Sequence, residues 1–242
     1  MKGNSIWKNV GLYALVVFSH FIVFSRILAS CLNVLVEGGS EPLILLIFAL
    51  VSALYIFGLW KWYQKGWKLE VKKTKLTSTI WLPIGLLVAF IALQALVSGE
   101  SSNNQRSIEF FLELFPAFVF FYIIFIAPII EEFITRGLMA KYLFSKQETL
   151  GQTLLYIALS SSLFSFLHLP SSLGQFLTYF IMGSIFALAY LTKEDIRYAI
   201  ALHIANNLIV LSLSSCFNKE EWGVTYLPNQ PFPNLERTDL FI

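Results

Sequence analysis

The sequence predicts an all-α fold, a polytopic transmembrane helical bundle of about seven (or eight) spanning helices, and three observations carry that prediction. Of 242 residues, 57% are hydrophobic and only 13% are charged, against about 25% charged in an average soluble domain. Apolar runs recur along the chain, each close to the roughly 20 residues that a helix needs to cross a bilayer. Backbone groups at that depth must be satisfied within their own segment, which excludes open sheet structure there.

The first run covers residues 9–30. Its end, Leu28-Ala29-Ser30-Cys31, resembles a lipoprotein cleavage box, but His20 and Arg26 interrupt the apolar region such a signal needs, so an uncleaved helix is the reading. His20 is then an interhelical contact, and Arg26 snorkels to an interface. The second run, 43–60, closes on Trp60-Lys61-Trp62-Tyr63, the aromatic and basic pattern of a membrane interface. Six lysines and one glutamate follow between Lys61 and Lys75. That short basic loop belongs in the cytoplasm and puts the amino terminus inside a multi-pass protein of the cell membrane.

The third run, 79–98, ends in the polar stretch Gly99-Glu100-Ser101-Ser102-Asn103-Asn104. After an approach containing Glu109 and Glu113, the run 116–144 is interrupted by Glu131, Glu132 and Arg136. One helix bent at Pro128 accounts for it better than two half-helices, because a mid-helix proline removes a backbone bond and bends the axis. Runs at 152–169, 173–192 and 197–216 complete seven spans. The chain so divides into N-terminal transmembrane helices (1–110), a core (111–216) and an extended tail (217–242) that carries Pro228, Pro231 and Pro233. Neither a nucleic-acid patch nor metal-ligand spacing of the two cysteines, Cys31 and Cys216, is present.

Charged side chains at bilayer depth cost at least about 2.5 kcal/mol each, so the glutamate pair needs a reason. On a helix Glu132 and Arg136 stand four apart and form an ion pair, while Glu131 is turned about 100° away and has no partner on its own helix. The same residues would also serve as an ionic clasp between helices, or as proton carriers in a small transporter. Two of the three histidines lie further along: His168 one turn after Phe164, and His203 one turn before Asn207. A buried carboxylate, a second base and nearby donors are what water-mediated peptide hydrolysis requires. Two histidines and a carboxylate also suit zinc, but the His-Glu-x-x-His spacing of common zinc proteases is missing, so no cofactor is expected and zinc is the minority option.

Glu131-Glu132-x-x-x-Arg136, Phe164-x-x-x-His168 and His203-x-x-x-Asn207, in that order on successive helices, resemble the CPBP family of CAAX proteases and bacteriocin-processing enzymes, also called Abi proteins. The resemblance spans residues 131–207. It implies an intramembrane, metal-independent glutamate endopeptidase in which Glu131, helped by His168, activates water. His203 and Asn207 would hold the oxyanion, with Glu132, Arg136 and Phe164 in support. The implied partner is a membrane-bound peptide or protein, in bacteriocin processing or self-immunity. A prenyl-protein CAAX endopeptidase and a non-proteolytic membrane immunity or binding protein are the alternatives. Straight helices leave His168 too near the outer end of its span, and a helix starting nearer Tyr156 and passing through Pro170 would bring it inward.

Overall fold

The structure, a computed structural model, describes residues 6–96 and 103–217. The polar link at 97–102, including Gly99, and the tail expected beyond Phe217 lie outside the described residues. Eight helices follow in order: α1 (Ile6–Val36), α2 (Glu41–Gln64), α3 (Trp81–Leu96), α4 (Asn103–Leu114), α5 (Pro116–Leu143), α6 (Leu150–Leu167), α7 (Leu173–Lys193) and α8 (Ile196–Phe217). Six of them, all but α3 and α4, are long and apolar enough to cross a membrane, and α3 is a shorter apolar helix. The chain is thus an all-α polytopic bundle. The short α4, which carries Glu109 and Glu113, forms where the sequence suggested only an approach to the next span.

Local chemistry sets the helix ends. Pro116 starts α5, where a missing N–H costs nothing. Thr149 and Gln152 form a capping box at the start of α6, and the Ser172 hydroxyl accepts from the Gln175 N–H at the start of α7. The helix α6 stops before Leu169-Pro170, with Leu169 in the left-handed region at φ 47. This corrects the expected passage through Pro170 and the later start near Tyr156: a proline ring excludes helical geometry from the residue before it.

The bundle core is built on α5, whose residues 132–140 are all buried, flanked by α6, α7 and α8. α7 packs most closely on α6 and then on α8. On α1 and α2 large apolar side chains such as Leu15, Phe18, Leu50, Leu54 and Phe57 are exposed, as lipid-facing surface requires. His20 is buried between helices, its ring stacked on Phe24, and Arg26 is exposed.

Helix α5 is continuous through Pro128 and carries two widened π turns, Tyr122–Ile126 before the proline and Phe133–Leu138 after it. Insertions of this kind re-aim side chains and offer backbone carbonyls to other partners. Tyr13 donates to the Ile134 carbonyl (3.1 Å), Ser160 to that of Thr135 (2.9 Å) and Tyr156 to that of Arg136 (3.2 Å). Three hydroxyls from α1 and α6 therefore fix the turn that follows the glutamate pair.

Outside the bundle, β1 (Glu70–Val71) and β2 (Lys146–Gln147) form a two-residue parallel bridge, tying the basic α2–α3 connection to the α5–α6 connection. At the same end Lys73 donates to the carbonyls of Leu191 (3.2 Å) and Thr192 (2.9 Å), closing the last turn of α7. Lys141 does the same for α2, donating to the Trp62, Tyr63 and Lys65 carbonyls.

Candidate active site

Glu132 and Arg136 sit one turn apart on α5, both wholly buried, with their charged atoms 3.0 Å apart. The guanidinium also donates to the Gly183 carbonyl of α7 (2.9 Å) and lies 4.4 Å over the ring of Phe164. Glu132 has a second partner, His203 of α8, whose Nδ1 is 3.1 Å from Oε1. The pair is therefore a three-residue chain, Arg136–Glu132–His203, joining α5 to α8.

Glu131 faces away from that chain into a cavity of about 950 Å³, and its side chain is 17% exposed where Glu132 is not exposed at all. One carboxylate of the two is open to a ligand. Both histidines converge on it: Nε2 of His168 and Nε2 of His203 each lie 3.9 Å from Glu131 Oε2. Those separations are too long for direct hydrogen bonds, and a water about 2.8 Å from each atom fits between them.

The proton positions follow from the partners. His168 Nδ1 is 2.8 Å from the Phe164 carbonyl, an acceptor only, so that nitrogen carries hydrogen and Nε2 presents a lone pair toward Glu131. His168 is the C-cap of α6, its ring stacked on Tyr179 at 4.2 Å. Its depth needs no longer helix. His203, stacked on Phe186 at 4.6 Å, likewise donates from Nδ1 to the Glu132 carboxylate.

Asn207 donates to the Ile123 carbonyl in the first π turn of α5 (2.9 Å) and accepts from Asn206 (3.2 Å), which leaves one amide N–H. It lines the same cavity as Glu131, His168 and His203. The structure thus brings together Glu131, Glu132, Arg136, Phe164, His168, His203 and Asn207 around one site. Among the described residues no group of three or more His, Cys, Asp or Glu side chains is arranged to hold a metal ion.

With this geometry established, the comparisons with known proteins bear on the same segment. The family model for type II CAAX prenyl endopeptidase Rce1-like proteins matches residues 113–209, which contain every residue of the site. That segment, less than half of the chain, is similar to the CAAX prenyl endopeptidases. A curated relative, the membrane-embedded CAAX protease MroQ of Staphylococcus aureus (strain USA300), is 28% identical over 154 residues, covering 60% of this chain. The aligned part spans 61% of that relative's length. No solved structure matches.

Sequence reasoning missed several residues that shape this site. Asn206 is buried in the cavity wall, donating to Met182 Sδ (3.2 Å) as well as to Asn207. Tyr179 and Phe186 fix the planes of the two imidazoles. Gly183 admits Arg136: a Cβ there would meet the guanidinium at 3.1 Å, Phe164 Cδ1 at 3.2 Å and Ser161 Cα at 3.2 Å. Apolar patterning hides such residues, since aromatic residues and glycine are ordinary in membrane helices. Asn206, beside Asn207 in the motif, was the one visible signal.

Proposed function

We propose that this chain is a CPBP-type intramembrane endopeptidase that hydrolyses a peptide bond of a membrane-associated substrate with a water activated by Glu131. The observation that carries the reading is the convergence of two imidazole Nε2 atoms on one cavity-facing carboxylate oxygen, 3.9 Å from each. The named activities of the matched family and of MroQ agree with it.

Charge balance at bilayer depth selects how the groups work. Arg136 and Glu132 cancel, so Glu131 and His203 are neutral together in two ways: carboxylate with imidazolium, or carboxylic acid with imidazole. The two states hold the same number of protons and differ only in which residue carries one of them, and any other combination leaves a net buried charge. In the first state Glu131 and His168 Nε2 both accept from the water. Attack on the substrate carbonyl forms the C–O bond as the water's proton passes to Glu131. The new oxyanion accepts from His203 Nε2–H and from the remaining Asn207 N–H. Collapse breaks the C–N bond, and Glu131 returns its proton to the leaving amine.

Glu131→Gln in the full chain should abolish cleavage of a membrane-linked reporter peptide while insertion and thermal stability are kept. Retained cleavage ends the proposal. A strong chelator should leave cleavage unchanged, and loss of activity restored by zinc would replace the metal-independent scheme by a zinc-bound one. Processing of a bacteriocin-like precursor or self-immunity is the cellular role we infer. Protection that persists in Glu131→Gln would favour the non-proteolytic immunity role.

A further inference from the structure

The end of the bundle opposite the cavity carries a second feature that hydrolysis does not use. Three connections meet there: α2–α3, α5–α6 and α7–α8, joined by the β1–β2 bridge and by the Lys73 contacts to α7. The acidic residues at this end are largely occupied. Glu70 pairs with Lys146 (3.4 Å), Glu194 with Lys73 (2.8 Å) and Asp195 with Arg197 (2.9 Å). Glu148 alone of that group has no cation partner among the described residues.

Seven exposed lysines remain without an acidic partner among the described residues: Lys8 at the start of α1, and Lys61, Lys65, Lys68, Lys72, Lys75 and Lys193. Lys61 and Lys193 lie over the rings of Phe57 and Tyr198, but none of them caps a helix end as the Lys73 and Lys141 ammonium groups do. The tryptophans mark their level. Trp7 and Trp81 are exposed at the membrane-facing starts of α1 and α3, and Trp60, Trp62 and Trp67 cluster at the end of α2. Indoles collect at the headgroup layer of a bilayer. A field of uncompensated ammonium groups held at that layer matches phosphate charge laid out in a plane.

We infer that this end is a binding surface for anionic phospholipid headgroups of the adjoining leaflet, with the lysines of the α2–α3 connection supplying the contacts. The β1–β2 bridge and the Lys73 contacts hold that connection against the bundle, so the lysines stay at the headgroup level. Lysine phosphate contacts of this kind are electrostatic and fall with ionic strength, because the screening length shrinks from about 8 Å at physiological salt to about 3 Å at 1 M.

The test uses the full chain in phosphatidylcholine vesicles doped with brominated phosphatidylglycerol or, in parallel, brominated phosphatidylcholine, and reads quenching of tryptophan fluorescence. A preference for the anionic lipid of about fivefold or more is expected at low salt. It should collapse in 1 M salt, and in a variant with Lys61, Lys65, Lys68, Lys72 and Lys75 changed to Gln. If that variant does not fold, the salt series on the unmodified chain decides. Equal quenching by the two lipids, or a preference that survives both treatments, overturns the proposal. Loss of the preference on adding millimolar glycerol phosphate overturns it too, since the surface would then take free phosphate rather than a membrane.

Discussion

At the scale of single residues, the site depends on how closely Arg136 can approach its neighbours. Gly183 has no side chain where the guanidinium meets the α7 backbone. Gly183→Ala should cost about 1–3 kcal/mol of stability through overpacking and lower kcat/KM at least tenfold, as displacement of Arg136 is passed through Glu132 to His203. Thermal unfolding and reporter cleavage measure the two effects. Glu132→Gln should be more damaging to folding than Glu131→Gln, by about 3–5 kcal/mol, because it leaves Arg136 as a buried charge without its counterion. Equal stability of the two variants would contradict the division of labour between the adjacent glutamates. The sequence shows that division through spacing alone, since neighbours on a helix face different ways and residues four apart share a face. It does not show His203 as the second partner of Glu132, because that contact crosses 71 residues of chain.

Among the elements, α5 departs furthest from an ordinary helix, carrying two π turns where α1 carries one, at His20–Phe24. Its second π turn is bonded by Tyr13, Ser160 and Tyr156, so the glutamates and Arg136 are aimed by side chains from α1 and α6. Tyr156→Phe removes one of these donors from a buried carbonyl and should destabilise the protein by about 1–3 kcal/mol. Cleavage should fall with it, which a stability loss at a distant cap would not produce. The comparison is Thr149→Ala, which breaks the capping box of α6 at a cost of about 1 kcal/mol and should leave kcat/KM unchanged at temperatures where the protein is folded. Continuity of α5 through Pro128 was legible, since one proline bends a helix without ending it. The π turns were not, because hydrophobic periodicity varies too little over five residues to reveal an inserted one.

For the whole molecule, the lysine-rich end and the cavity end are opposite. The cavity is lined from the later part of α3, from α4, from the α6–α7 turn and from the first half of α5, whereas the lysines gather where α2, α5 and α7 finish. We expect the lysine-rich end to face the cytoplasm. Lys65→Cys should then react with a membrane-impermeant thiol reagent only when the cytoplasmic face is open, and Leu173→Cys, 73% exposed as Leu173 beside the cavity, only from the other side. The opposite pattern would reverse the orientation. The sequence by itself determined the class, because composition and run length leave a lipid-immersed chain little choice but helices. It also singled out the polar residues that the structure gathers around one cavity, because charge inside a bilayer is too costly to be incidental. Tertiary structure alone decided how they meet. His168 reaches Glu131 as the cap of a helix that Pro170 ends, not as part of a longer one, and the two imidazoles are held by Tyr179 and Phe186, which nothing in an apolar sequence distinguishes from other packing residues. Helical periodicity fixes the direction of a side chain on its own axis, but the tilt and depth of each axis come from packing between segments far apart in the chain.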